Sequence, residues 1–228
     1  MDSPQTQAIA FFDVDGTLLS STIVHCYVWL RTHTLTPLMK FFWTIGFLPK
    51  VVYYLILDKI SRTRFNKVFY RNYDGLESTE LKSLSTDMFN SYLKQKIFPE
   101  AISQIEEHKE NGDQIVLLTG SLDFIVMPIA EYLGVDSVLA PSLGELGSRF
   151  VGELKSEPLI GEQKAIVMKK FAEDVGISLD VCYAYGDSQS DLPMLNCVGN
   201  PVVVNPSRAL RQKALSTGWE MHEWMQAS

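Results

Sequence analysis

The chain has 228 residues, 46% apolar and 21% charged, with a net charge of −7. This is ordinary globular composition, enough for a buried core and one domain with an insertion, and not that of a disordered or fibrous chain. Cys26, Cys182 and Cys197 are odd in number and share no metal-ligand spacing, which argues against a disulfide framework and a zinc site. A reduced compartment follows. Because Ile9 to Phe12 runs straight into acidic residues and not toward a cleavage site, a cytoplasmic location is expected. No nucleic-acid partner is expected, and nothing fixes an oligomeric state.

Ala8 to Phe12 is a short apolar run ending in Asp13-Val14-Asp15-Gly16-Thr17, the pattern of a buried parallel strand whose C-terminal end meets a loop. Asp13 is the candidate nucleophile: a carboxylate that attacks phosphorus forms an aspartyl-phosphate and splits a hard hydrolysis into two easier steps. Asp15 is the candidate general acid and base, a role that requires a pKa raised by anionic neighbours. An Asp-rich turn with a left-handed Gly16 is the plainer alternative.

From Ser20 to Asn72 eight Lys or Arg stand against one acid, Asp58, giving +7, so the rest of the chain carries −14. The same segment holds the densest apolar stretch, Leu35 to Leu57, whose longest uninterrupted run, Val51 to Leu57, is only seven residues. A single spanning helix needs roughly 20 predominantly apolar residues, so this is a marginal span. Two helices hinged near Gly46 to Pro49, lying in an anionic membrane interface, fit better, which would make the protein peripheral on a membrane. The alternative is that these aromatic faces pack on each other and on the core.

Ala101 to Asn111 reads as a helix closing on Gly112, and Ile115 to Leu118 as a second strand, followed by Thr119-Gly120-Ser121. Between a strand and the helix Phe124 to Leu133, closing on Gly134, those three residues are placed to hold phosphate oxygens at a helix N-terminus, although plain capping residues look the same. Lys164 falls near the start of a third helix, Glu162 to Val175, closing on Gly176. There its ammonium would offset charge on nucleophile and phosphate. Val181 to Tyr185 is a third strand, followed by Gly186-Asp187-Ser188-Gln189-Ser190-Asp191, and Val202 to Val204 a fourth. Asp187 and Asp191, with Asp13, suit Mg²⁺, a hard cation that takes oxygen ligands, with a backbone carbonyl of Val14 or Asp15 also able to face it. An N-cap and a solvated first-turn acid remain the alternative. Strands alternating with helices imply a doubly wound α/β parallel sheet, where ligands bind beyond the C-terminal strand ends.

In order and spacing these motifs resemble the haloacid dehalogenase superfamily, and more closely its phosphoserine-phosphatase-like branch. The resemblance implies a Rossmann-like core over 1–19 and 94–228 with a mostly helical cap over 20–93. It further implies Mg²⁺-dependent hydrolysis of a phosphomonoester through Asp13-phosphate. Asp15 would be the acid and base, Lys164 the stabilising cation, Thr119, Gly120 and Ser121 the phosphate ligands, and Asp13, Asp15, Asp187 and Asp191 the metal site. Thr22 and Arg64 are the expected cap contacts to substrate. Asn205 and Pro206 are expected to be the N-cap and first residue of the last helix. Where phosphoserine phosphatases place an acid for the substrate ammonium, Leu19-Ser20-Ser21-Thr22-Ile23 has none, which argues against an amino-acid substrate. A lipid-linked or glycerol-type phosphate is the expected substrate, a small soluble ester such as phosphoserine the alternative. A phospho-switch and a non-catalytic membrane adaptor are the other classes.

Overall fold

The computed structural model describes residues 8–226. Its strands are β1 (Ile9–Phe12), β2 (Gln114–Leu118), β3 (Ser137–Leu139), β4 (Leu143–Leu146), β5 (Arg149–Leu154), β6 (Tyr183–Gly186), β7 (Asn200–Val204) and β8 (Glu220–His222). Six of them form one sheet in the order β3-β2-β1-β6-β7-β8, every pair parallel, and β4 and β5 form a separate antiparallel hairpin. The helices are α1 (Ile23–Thr32), α2 (Pro37–Ile60), α3 (Arg62–Tyr70), α4 (Ser78–Met88), α5 (Pro99–Glu110), α6 (Asp123–Leu133), α7 (Glu162–Val175), α8 (Leu192–Leu195) and α9 (Arg208–Thr217).

Strand residues alternate between two cores. Ile9, Phe11, Val116 and Leu118 pack with Met168 and Ala172 of α7 and Leu210 and Ala214 of α9. Ala10, Phe12, Ile115 and Leu117 pack on the other face with Ala101 and Ile105 of α5 and Ile125 and Ile129 of α6. Helices therefore cover both faces, as expected of a doubly wound α/β sheet, and α6 and α7 end on left-handed Gly134 and Gly176. The third strand starts later than expected because Val181 lies in a short 3₁₀ turn.

One expected cap is corrected. Asn205 has a φ of 43°, its side-chain oxygen accepts from the Trp224 backbone, and Ser207 caps α9 by accepting from Leu210 N–H. A left-handed residue does not have the extended backbone of an N-cap.

Helices α1 to α4 lie in sequence between β1 and α5. An aromatic cluster holds α1, α2 and α3 together: Tyr27 meets Phe47 at 5.6 Å and Phe69 at 5.6 Å between ring centroids, and Tyr54 meets Phe65 at 5.9 Å and Phe69 at 5.3 Å. The expected hinge at Gly46 to Pro49 is absent, because α2 is one 24-residue helix that contains Pro49. Trp43 and Phe47 before the proline, and Val51 and Tyr54 after it, recur at helical spacing and pack into one cluster. Anchored on both sides, the helix continues past the missing hydrogen bond.

The β4–β5 hairpin also bonds to the inserted segment. Gly75 N–H donates to Phe150 O (2.8 Å), Phe150 N–H to Leu76 O (3.0 Å) and Ser78 N–H to Ser148 O (2.7 Å). The chain leaves and re-enters the sheet layer at neighbouring points, where Ser20 N–H donates to Lys96 O and Phe98 N–H to Leu18 O, each at 3.0 Å.

Candidate active site

β1, at the centre of the sheet, delivers Asp13, whose N–H donates to Tyr185 O of β6 at 3.0 Å. The next residues fold into a tight turn, with Leu18 N–H on Val14 O (3.0 Å) and Gly16 N–H on Leu19 O (2.8 Å). Gly16 sits at φ +89°, and a Cβ there would lie 2.5 Å from Asp187 Oδ2. No side chain fits between these two loops, so glycine lets the carboxylates approach.

β6 ends at Gly186, and Asp187 follows. Asp191 is fixed by a reciprocal cap: its Oδ2 accepts from Ser188 N–H (3.1 Å) and Ser188 Oγ (2.7 Å). Lys164, in the first turn of α7, joins the motifs by donating at 2.7 Å to both Asp13 Oδ1 and Asp191 Oδ1. Lysine, aspartate and aspartate are all buried here, Lys164 being only 3% exposed. One cation thus stands against three carboxylates, since oxygens of Asp13, Asp187 and Asp191 lie within 4.8 Å of one another.

That imbalance shifts the protonation of the group. Burial and the charges of Asp13 and Asp191 push Asp187 up to about 8. Burial, with Asp191 adding, also raises Asp13 despite Lys164. Burial works in the same direction on Asp191, but Lys164 and the Ser188 bonds hold it below the usual range. Burial would lower Lys164, yet Asp13 and Asp191 keep it firmly protonated. A buried cluster of this sign could hold a divalent cation, and an all-carboxylate donor set suits a hard one. The carboxylate of Asp15 stands apart from this triad.

Asp15 instead accepts a short hydrogen bond from Ser121 Oγ. Burial, with the Asp13 charge adding, pushes it up to about 7. Thr119 is fully buried and its Oγ1 accepts from Ser121 N–H at 3.1 Å, so it shapes the loop that carries Ser121. Gly120 O accepts from Tyr70 of α3 at 2.6 Å, tying that loop to the inserted helices.

A cavity of about 330 Å³ opens above these groups, with Asp13, Asp15, Lys164 and Gly120 on its floor. Val51, Tyr54 and Leu55 of α2, Phe65 of α3, and Ile160 make apolar walls. Thr22 lines it, where it also caps α1. Arg64 does not line it; Arg62 does, with Asn66, Asp58 and His25. Residues two apart on a helix point about 200° away from each other. Phe65, Asn66 and Phe69 are the buried side of α3, and Arg62 stands at the end of that side by i, i+3, i+4 and i+7 spacing, while Arg64 lies off it. That phase was readable in the sequence. Burial would lower Arg62, but Asp58 first, then Asp13, Asp191 and Asp187, keep it protonated. Asp58 is also a carboxylate in the cavity wall, supplied by α2 and not by the segment after the first motif.

The family model described as haloacid dehalogenase-like hydrolase matches residues 10–196. A phosphoserine phosphatase of Mycobacterium tuberculosis is 30% identical over 223 residues, 95% of this chain and 71% of that protein. The inhibition of morphological differentiation protein of Streptomyces azureus is 39% identical over 147 residues, which are 64% of this chain and 52% of that longer protein. A solved phosphoserine phosphatase, a phospho-aspartyl intermediate analogue, superposes with a TM-score of 0.72 at 18% identity, covering 97% of this chain and 95% of that one, a likeness of fold. With a parallel sheet bringing Asp13, Lys164 and Asp187 together at its C-terminal edge, the chain belongs to the haloacid dehalogenase-like hydrolases, in their phosphoserine-phosphatase-like part.

Proposed function

We propose that this chain is a Mg²⁺-dependent phosphomonoester hydrolase that works through Asp13-phosphate. The observation that carries the reading is Lys164 bridging Asp13 and Asp191 at the floor of a cavity where Asp15 is held separately by Ser121. Asp13, Asp187 and Asp191, with a nearby backbone carbonyl, would hold the metal. When bound, it supplies charge neutralisation for the phosphoryl oxygens.

Asp13 forms a bond to phosphorus as the ester oxygen leaves, and Asp15 gives that oxygen its proton. A carboxylic acid raised to about 7 holds the proton for this step at neutral pH. Asp15, now ionised, takes a proton from water, which attacks phosphorus and releases phosphate and free Asp13. Lys164 holds the Asp13 oxygen in place, and Ser121 orients Asp15 and the phosphoryl group.

For the leaving group, a lipid-linked or glycerol-type phosphate fits the apolar walls from α2 and α3 with Arg62 beside the floor. Asp58 supports a second reading, a small soluble ester carrying an ammonium or hydroxyl, since it restores an acceptor that the first-motif segment lacks. Phosphate release from lysophosphatidate, glycerol phosphate and phosphoserine, with Mg²⁺ or with EDTA, tests these readings. Metal-dependent release favouring the first two supports the proposed substrate, a preference for phosphoserine selects the second reading, and no metal-dependent release from any ester removes the phosphatase reading.

Arg62→Ala is expected to lower kcat/KM by about 10²-fold, the usual loss for one charged donor to a phosphoryl group. Arg64→Ala should stay within about twofold of wild type, as an exposed side chain off the cavity. Steady-state kinetics on the two variants check the assignment; equal losses would return the role to Arg64.

A further inference from the structure

α2 has two apolar sides. One carries Phe47 and Tyr54 into the protein, and the other leaves Leu38, Phe42, Ile45, Leu48, Val52 and Ile56 more than half exposed. These six recur at helical spacing along one line, and Leu38 and Phe42 reach 67% and 64% exposure. A contiguous apolar face of this length on a globular protein marks a surface that something covers.

Charge identifies the occupant. Six of the eight basic residues between positions 20 and 72 are exposed and lie off the cavity (Lys40, Lys50, Lys59, Arg64, Lys67 and Arg71), and the segment carries +7 against −14 for the rest of the chain. A two-fold pairing of this face with itself would set one positive segment against another. An anionic bilayer is complementary to the segment and repels the acidic remainder, which orients the body away from the surface. The helix meets the length and composition of a membrane span. Its inner side, however, is held by Tyr27, Phe65 and Phe69, so it lies along the interface without crossing.

We propose that α2 docks on an anionic membrane, with its outer face among the acyl chains and the neighbouring Lys and Arg among the headgroups. Leu55 is 61% exposed and also lines the cavity, so the docked helix forms one lip of the opening that leads to Asp13. This docking goes beyond the phosphatase reading and does not depend on turnover.

The test is co-sedimentation of the full chain with vesicles of phosphatidylcholine alone or mixed with phosphatidylglycerol, without substrate. Binding at least about tenfold tighter to the anionic vesicles, weakened by salt, is expected. Ile45→Glu with Val52→Glu should lose that binding while keeping the wild-type melting temperature, because both side chains are exposed. Absence of binding to the anionic vesicles overturns the proposal. So does a dimer in sedimentation equilibrium that the double variant dissociates, which would assign the face to a second copy. Asp13→Asn should bind vesicles like wild type, so loss of catalysis leaves this result standing.

Discussion

Asp13→Asn is expected to reduce phosphate release by on the order of 10⁴-fold or more, the loss typical of removing a covalent nucleophile. The amide keeps the shape of the carboxyl and accepts from Lys164, but it does not displace an alkoxide from phosphorus. Stability should move differently. Asp13 is buried and raised, held in the company of two further carboxylates, so its charge costs folding free energy that the amide does not. Without metal, the variant should therefore melt at or above the wild-type temperature while being inactive. Acid-quenched mass spectrometry checks the chemistry: wild type mixed with excess substrate should gain one phosphoryl group on Asp13, and the variant none. A labelled residue other than Asp13, or turnover that survives, would overturn the nucleophile assignment.

Lys164→Met should damage both activity and folding. Its ammonium is the partner of two buried carboxylates at 2.7 Å each, and removing one member of a buried ion pair costs about 3–5 kcal/mol. For a chain of this size that corresponds to a fall in melting temperature on the order of 10 °C. Phosphate release should drop by at least about 10²-fold, because the cation also faces the attacking oxygen. Adding Asp191→Asn to Lys164→Met separates the two effects. The double variant removes one of the stranded charges and should recover several degrees of stability, measured by calorimetry, without recovering turnover. Recovery of both would mean that Lys164 acts only by holding the fold.

What was legible in the sequence follows a physical division. Asp13 and Asp187 each follow a strand, and strand ends place such groups at one edge whatever the surrounding packing, while Lys164 comes from the first turn of α7. The three core helices announced themselves by periodicity and by a closing glycine with positive φ, Gly112, Gly134 and Gly176. The β4–β5 hairpin did not, because its inward positions include Gly152 and its outward ones include Val151, which erases the alternation that marks a strand. β3 and β8, three residues each, are too short to show a period. The choice between Arg62 and Arg64 needed the phase of α3, which the spacing of Phe65, Asn66 and Phe69 carries, whereas the continuity of α2 needed packing partners on both sides of Pro49. Asp58 entered the cavity from a helix whose position no local pattern encodes.

The hairpin bears on how substrate enters. Two chain crossings side by side, at Ser20 and Lys96, form a pivot about which the inserted helices would otherwise swing as one body. The bonds between residues 75, 76 and 78 and residues 148 and 150 fasten the inserted helices a second time, away in sequence from those crossings. Whole-body opening must first break that latch, an event belonging to the slow end of native motions. With the latch shut, the cavity keeps the rim that Leu55 lines, and any wider opening is tied to the breaking of those bonds.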